Sequence, residues 1–213
     1  MISKTRVILV DDHNVVRSGL RRLLELGGDI DVVAEADSGE RACLIYEEFK
    51  ADVLVMDLSM PGIGGLEALR RILASAPKAK IVIFSMHENT TFAAQAFSAG
   101  ACCYVTKSGF ADELLLAVRE AAAGKTYISA SIAQKIAKQS ISGEHDPLQS
   151  LSSREFEVFK LLAEGMSTDV IASTLNISQK TAANYQTILK QKLGISNAVE
   201  LVKLAIQHGV IID

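Results

Sequence analysis

Short runs of aliphatic residues recur through the first half of the chain, at Val7–Val10, Val53–Met56, Ile81–Phe84 and Tyr104–Val105, with a weaker run at Val32–Ala36. Between them lie segments whose apolar residues fall three and four apart: Val15, Leu20, Leu23 and Leu24; Ala42, Ile45, Tyr46 and Phe49; Leu66, Leu69, Ile72 and Leu73. That is the period of an amphipathic helix. Strand and helix in alternation demand a parallel sheet covered on both faces, because each parallel pair needs a crossover and the helix supplies it. The strands are nearly all apolar, as burial on two faces requires. The spacing predicts a doubly wound α/β fold with a five-stranded parallel sheet.

The pattern then changes. After a helix expected around 112–123 come Gly124, a short helix near 131–139 and a polar Ser/Gly/Pro-bearing piece at 140–147 that reads as a linker. From Leu151 strand signals vanish and helical periodicity takes over. We therefore divide the 213 residues into 4–123, a linker over 124–148 with a short helix, and a small all-α domain of four helices over 149–213. Hydrophobic residues at 49% and charged residues at 22% exclude disorder. Cys43, Cys102 and Cys103 match no zinc spacing and are odd in number, against a disulfide framework. The longest uncharged stretch, Asn89–Thr106, is broken by polar residues, and Met1–Asp12 has no long apolar core. These features predict a cytoplasmic protein without membrane attachment.

In an open parallel sheet, function gathers beyond the carboxyl ends of the strands. Asp11 and Asp12 follow the first strand, Asp57 the third, Ser85 the fourth and Lys107 the fifth. Three neighbouring carboxylates ionise together only with a compensating cation, either Lys107 or a divalent metal. An all-oxygen set suits Mg2+, with Asp11, Asp12, Asp57 and the Ser59 backbone carbonyl as ligands. A carboxylate in such a site can be a phosphoryl nucleophile, and Asp57, alone at the tip of a hydrophobic strand, is the expected acceptor. A lone Asp after a strand is ordinarily a cap or turn residue; the set carries the signal. His13 and His87, taken singly, read as surface or packing residues.

Asp11-Asp12, Met56-Asp57-Leu58-Ser-Met-Pro61-Gly62, Ser85 and Tyr104-Val-Thr-Lys107 resemble, in order and separation, the motifs of response-regulator receiver domains. The resemblance covers roughly residues 4–123. It implies a flavodoxin-like sheet of order 2-1-3-4-5, phosphorylation of Asp57 by a histidine kinase, Mg2+ held at Asp11 and Asp12, and a phosphoryl contact from Lys107. Ser85 and Tyr104 would form a switch, the hydroxyl turning toward the phosphoryl and the ring following inward. The signal would alter the surface around 92–97 and 114–118. Ser108 stands where many relatives carry proline, so a trans bond is expected there.

In the second half Ser152-Ser-Arg-Glu155 has the form of a capping box, Gly165 ends the helix it starts, and Ser167 opens a second. Asn176-Ile-Ser178 makes a tight turn, and a third helix runs from Ser178 to the Gly194 stop. This is a helix-turn-helix. Its third helix presents Lys180, Thr181, Ala183, Asn184, Thr187 and Lys190 for phosphate and base contact in a DNA major groove. The half is neutral overall, yet the stretch 176–193 holds three lysines and no acid. Together with Leu162-Ala-Glu-Gly165, Lys180-Thr181 and Lys192-Leu193, it resembles the DNA-binding domain of LuxR/NarL-type regulators. The last helix, 197–208, carries more apolar positions than a three-helix core needs, which points to a homodimer.

The expected function is a transcriptional response regulator of the NarL/FixJ type, in which phosphorylation of Asp57 controls binding to double-stranded DNA. It is not an enzyme beyond slow Mg2+-dependent self-phosphorylation and autodephosphorylation. The competing expectation is a receiver acting through protein contacts, with the helical half as an adaptor or dimerisation module. A phosphatase with an Asp nucleophile would want a second Asp two places after Asp57, where Ser59 stands.

Overall fold

The computed structural model describes residues 4–109, 111–142 and 146–211. In the first half β1 (Thr5–Val10), β2 (Ile30–Ala36), β3 (Val53–Met56), β4 (Ile81–Ser85) and β5 (Cys103–Thr106) alternate with α1 (Asn14–Glu25), α2 (Gly39–Phe49), α3 (Gly64–Ser75), α4 (Thr90–Ser98) and α5 (Ala111–Ala122). A further strand, β6 (Tyr127–Ile128), precedes α6 (Ala130–Ser142). All neighbours pair in parallel, in the order β2-β1-β3-β4-β5-β6.

Alternation along the strands sorts the core into two layers. Val7, Leu9, Val53, Val55, Val82 and Val105 pack with Leu24 of α1 and with Leu114, Ala117 and Val118 of α5. Ile8, Val10, Leu54, Met56, Ile81 and Ile83 face the other way, into a cluster with Ile45, Leu69 and Phe92 from α2, α3 and α4. The central strands are therefore apolar at successive positions for a reason: neighbouring side chains serve different layers.

The five-stranded expectation falls one short among the described residues. Tyr127 and Ile128 add an edge strand beside Cys103 and Tyr104, and the Ser129 N–H extends the ladder to the Tyr104 carbonyl at 2.9 Å. Two residues are too few to display an alternation. The expected linker thus begins as part of the sheet and continues as α6, while its polar centre, 143–145, lies outside the described residues.

After a 3-10 turn at Pro147–Ser150 come α7 (Ser153–Ala163), α8 (Thr168–Leu175), α9 (Gln179–Leu193) and α10 (Ala198–Gln207). Their ends follow from local chemistry. Ser152 and Glu155 form a reciprocal capping box, and Ser167, Ser178 and Asn197 each accept a hydrogen bond from the backbone three residues on. Asn176 and Gly194 end α8 and α9 in the left-handed conformation.

The helical half rests on the α3–α4 side of the sheet, and the hydrophobic cluster on that side runs without interruption into Phe156, Phe159, Ile171, Leu189 and Leu201. Polar groups pin the contact. Gln95 donates to the carbonyls of Leu148 (3.2 Å) and Leu151 (3.0 Å), Asn89 to those of His208 and Gly209 (both 3.1 Å), and Thr91 to Asp146. Arg154 of α7 donates to Glu67 of α3 at 2.7 Å and, through its other terminal nitrogen, to the Leu175 carbonyl at 2.6 Å. The stretches 92–97 and 114–118, expected to form a responsive surface, divide differently: Phe92 lies beneath α7, whereas Leu114 and Val118 are sheet core.

Candidate functional site

The register of the sheet brings the acidic residues together. Val10 pairs with Met56, so Asp11 and Asp57 leave the tips of adjacent strands side by side. The Asp57 N–H donates to the Val10 carbonyl (2.9 Å), the Asp11 N–H to Ala36 (3.1 Å) and the Lys107 N–H to Ser85 (2.8 Å), which places the ends of β1 to β5 along one edge. This is where the strand order reverses direction, the usual crevice of such sheets. Gly65 makes the crevice narrow: a Cβ there would come within 2.0 Å of the Asp57 carbonyl oxygen.

The Lys107 ammonium bridges two buried carboxylates, at 2.7 Å to Asp11 Oδ2 and 2.6 Å to Asp57 Oδ2. Asp11 is 1% exposed and Asp57 3%. Burial raises the Asp57 carboxyl above its ordinary value, although the bond to Lys107 works in the opposite direction. Burial also opposes the charge on Lys107, but the bonds to Asp11 and Asp57 outweigh it and leave the ammonium more basic than usual. One cation thus serves two acids, and the site has capacity for more positive charge.

Asp12 supplies the complementary observation. Its Oδ1 is buried and accepts no hydrogen bond, though His13 Nδ1 lies 2.9 Å away. Donor atoms of Asp11, Asp12 and His13 all lie within 4.8 Å of one another. This buried Asp12 oxygen, which accepts no hydrogen bond and lies beside oxygen donors from Asp11, fits a hard cation such as Mg2+. Asp57 is outside that tight group, joined to Asp11 through Lys107, and His13, expected as a surface residue, stands at its edge.

Ser85 and Tyr104 meet at His87. The His87 N–H donates to Ser85 Oγ at 3.2 Å, and the Tyr104 hydroxyl donates to the His87 carbonyl at 2.8 Å. The Tyr104 ring is fully buried, so it already occupies the inward position, and burial raises its phenol above the usual range. His87 Nε2 lies 2.8 Å from Ser59 Oγ. Burial, with Lys160 as a second cause, lowers this imidazole to about 4. The peptide bond before Ser108 is trans, and the Ser108 hydroxyl donates to Glu88.

The second candidate surface is α9. Lys180, Thr181, Ala183, Asn184, Thr187 and Lys190 are all exposed, while Ala182 and Leu189 turn into the helical core. Lys192 is different. It bonds Glu155 at 2.7 Å and the Ser150 carbonyl at 3.3 Å, so it braces α9 against the start of α7.

Family comparison agrees with both halves. The response regulator receiver domain matches residues 7–119, and the bacterial regulatory proteins of the luxR family match residues 149–205. The chain belongs to the two-component response regulators of the NarL/FixJ type. It is 40% identical over 208 residues to the response regulator GacA of Pseudomonas aeruginosa, covering 97% of each chain. It is 41% identical over 206 residues to the response regulator UvrY of Escherichia coli, covering 96% of this chain and 94% of that one. The structure of RcsB from Salmonella enterica serovar Typhimurium, bound to promoter DNA in the presence of the phosphomimetic BeF3-, superposes with a TM-score of 0.77 at 29% identity, over 95% of this chain and 98% of that one. This response regulator is a DNA-binding transcriptional regulator activated by phosphorylation. Its family consists of regulators rather than conventional enzymes. None of its described helices is long and apolar enough to cross a membrane.

Two residues of the regulator's site escaped the sequence. Gly65 sits in a Gly-Ile-Gly-Gly run that signals a tight turn but not which glycine touches Asp57. His87 is a lone loop histidine whose partners are 28, 5 and 17 residues away at Ser59, Phe92 and Tyr104, too dispersed for any local pattern.

Proposed function

We propose that this regulator accepts a phosphoryl group on Asp57 from a histidine kinase and, so modified, engages double-stranded DNA through α9 as a homodimer. The observation that carries the reading is the buried Asp57 carboxylate at a strand tip, bonded to Lys107, on the same molecule as an exposed, acid-free helix. A carboxylate oxygen of Asp57 forms the new O–P bond while the P–N bond to the kinase imidazole breaks, and the departing imidazole takes a proton. Lys107 stays against the transferring oxygens and stabilises the charge developing there. Asp11, Asp12, Asp57 and the Ser59 carbonyl are the residues that would hold Mg2+. When bound, that ion supplies the remaining positive charge and orients the phosphodonor.

The modification adds about 1.5 to 2 negative charges at pH 7 to a pocket already acidic. The Ser85 hydroxyl is the group free to rotate toward them, which would release its bond from the His87 N–H. Lys180 and Lys190 are assigned to DNA phosphates, and Thr181, Ala183, Asn184 and Thr187 to the groove. Slow self-phosphorylation from small phosphodonors and slow autodephosphorylation complete the chemistry. The division is receiver 4–123, linker 124–148 and DNA-binding domain 149–213, acting in the cytoplasm.

Selection of a duplex from random DNA by the purified protein, with and without acetyl phosphate and Mg2+, tests the reading. We expect phosphorylation to enrich one sequence class, and Asp57→Asn to abolish both the acyl phosphate and the enrichment. Persistent labelling of that variant would remove Asp57 from the role.

A further inference from the structure

His87 touches Ser59, Ser85, Phe92 and Tyr104 at once. Its imidazole Nε2 is 2.8 Å from the hydroxyl of Ser59, in the loop that follows Asp57. Its N–H rests on Ser85 Oγ at 3.2 Å, and its carbonyl receives the Tyr104 hydroxyl at 2.8 Å. Its ring lies flat on Phe92, with centroids 3.7 Å apart and an interplanar angle of 8°. Phe92 in turn meets Phe156 of α7 edge to face, at 5.3 Å and 89°, and Phe156 lies against Phe159 at 6.4 Å inside the helical half. One residue therefore touches the phosphoacceptor loop, both expected switch groups and the head of an aromatic stack that crosses to the DNA-binding domain.

We propose that His87 is a positioning residue that converts the state of the Asp57 loop into a displacement of α7, through the stack His87–Phe92–Phe156. It acts on Ser59, Ser85, Tyr104 and Phe92 and does not touch the phosphoryl group. The inference rests on reading Asp57 as the phosphoacceptor.

The physical argument is one of contact. Two rings at 3.7 Å are already at van der Waals distance, so the imidazole cannot move toward Phe92 without moving it. When Ser85 Oγ turns to a phosphoryl on Asp57, the His87 N–H loses its acceptor and the loop must find another arrangement. Ser59 holds the far edge of the ring and Tyr104 holds the carbonyl, which limits the available movement to a tilt across Phe92. Close-packed elements respond to such a tilt by changing between discrete packings rather than by yielding continuously. A residue that merely filled the interdomain contact would need the ring but not the Ser59 bond.

That difference defines the experiment. His87→Phe keeps a flat ring on Phe92 and removes the bond to Ser59, while His87→Gln keeps a hydrogen-bonding group and removes the ring. In the full-length protein, Asp57 labelling by acetyl phosphate with Mg2+ is measured beside the affinity for a duplex that wild type selects from random DNA, with and without phosphodonor. Melting curves accompany each variant. We expect both variants still to accept label at Asp57, whatever the rate, and the gain in DNA affinity, compared at equal labelling, to fall at least about fivefold in each. Full retention of the gain in either labelled variant overturns the proposal and leaves the Asp57 reading intact. If His87→Phe does not fold, Ser59→Ala, which removes the same bond and leaves the imidazole on Phe92, is compared at equal labelling in its place, with the same loss expected and full retention of the gain overturning the proposal. Wild type that is not labelled at Asp57 overturns the underlying reading, and the proposal with it.

Discussion

A carboxylate buried at a strand tip costs the fold something when it ionises. Burial raises Asp57 even with Lys107 beside it, so its contribution to stability is fully present below the pKa of the unfolded chain and is lost as pH rises through the higher folded value. Asp57→Asn has nothing to ionise. We expect its melting temperature to match wild type in acid and to exceed it by a few degrees (about 2–4 °C per kcal/mol for a chain of this length) near neutrality. Thermal denaturation between pH 4 and 8 checks this, and a gap that narrows as pH rises would contradict the assigned cause. The acids and Lys107 were legible because strand periodicity alone determines which residues step off the carboxyl edge. His87 was not, since its meaning lies in partners brought to it by β3, α4 and β5.

At the scale of elements, the helix ends of the second half could be read directly, because Ser152, Glu155, Ser167, Ser178 and Asn197 bond within four residues of themselves. A cap is local chemistry, and local chemistry survives in the sequence. β6 escaped because its two residues carry no period, and it forms only where β5 offers an open edge. The same reasoning separates the lysines of α9. Lys180 and Lys190 are exposed, whereas Lys192 is held by Glu155. Lys180→Ala or Lys190→Ala should weaken binding to specific and non-specific duplexes alike and lower the salt slope by about one per lost phosphate contact. Lys192→Ala should cost thermal stability by removing a partly buried ion pair. Salt titrations of duplex affinity, set beside melting curves, separate the two effects.

For the whole molecule the telling contact is the charge cluster between α3 and α7. Glu157 is pushed up to about 8, by burial first and by neighbouring Glu67 second, with Arg154 and Arg70 opposing. Its Oε1 finds no hydrogen-bond partner. Because this folded value lies above the unfolded one, the contribution of Glu157 is whole below about pH 4.5, declines as pH rises and is gone above about 8. Glu157→Gln should therefore equal wild type near pH 5 and be the more stable protein at pH 9, with all other ionisable groups common to both. Melting temperatures across that range test it. The cluster was invisible in the sequence: Glu67 and Arg154 stand 87 residues apart, and no local pattern joins them.

The apolar layer that begins under α2 and ends under α10 has a thermodynamic corollary. Where one hydrophobic cluster runs through two folding units, opening either of them exposes apolar surface of the other, so the two melt together. Calorimetry of the intact chain should accordingly record a single heat-absorption peak, and cutting between residues 142 and 146 should split or broaden it only once the fragments part.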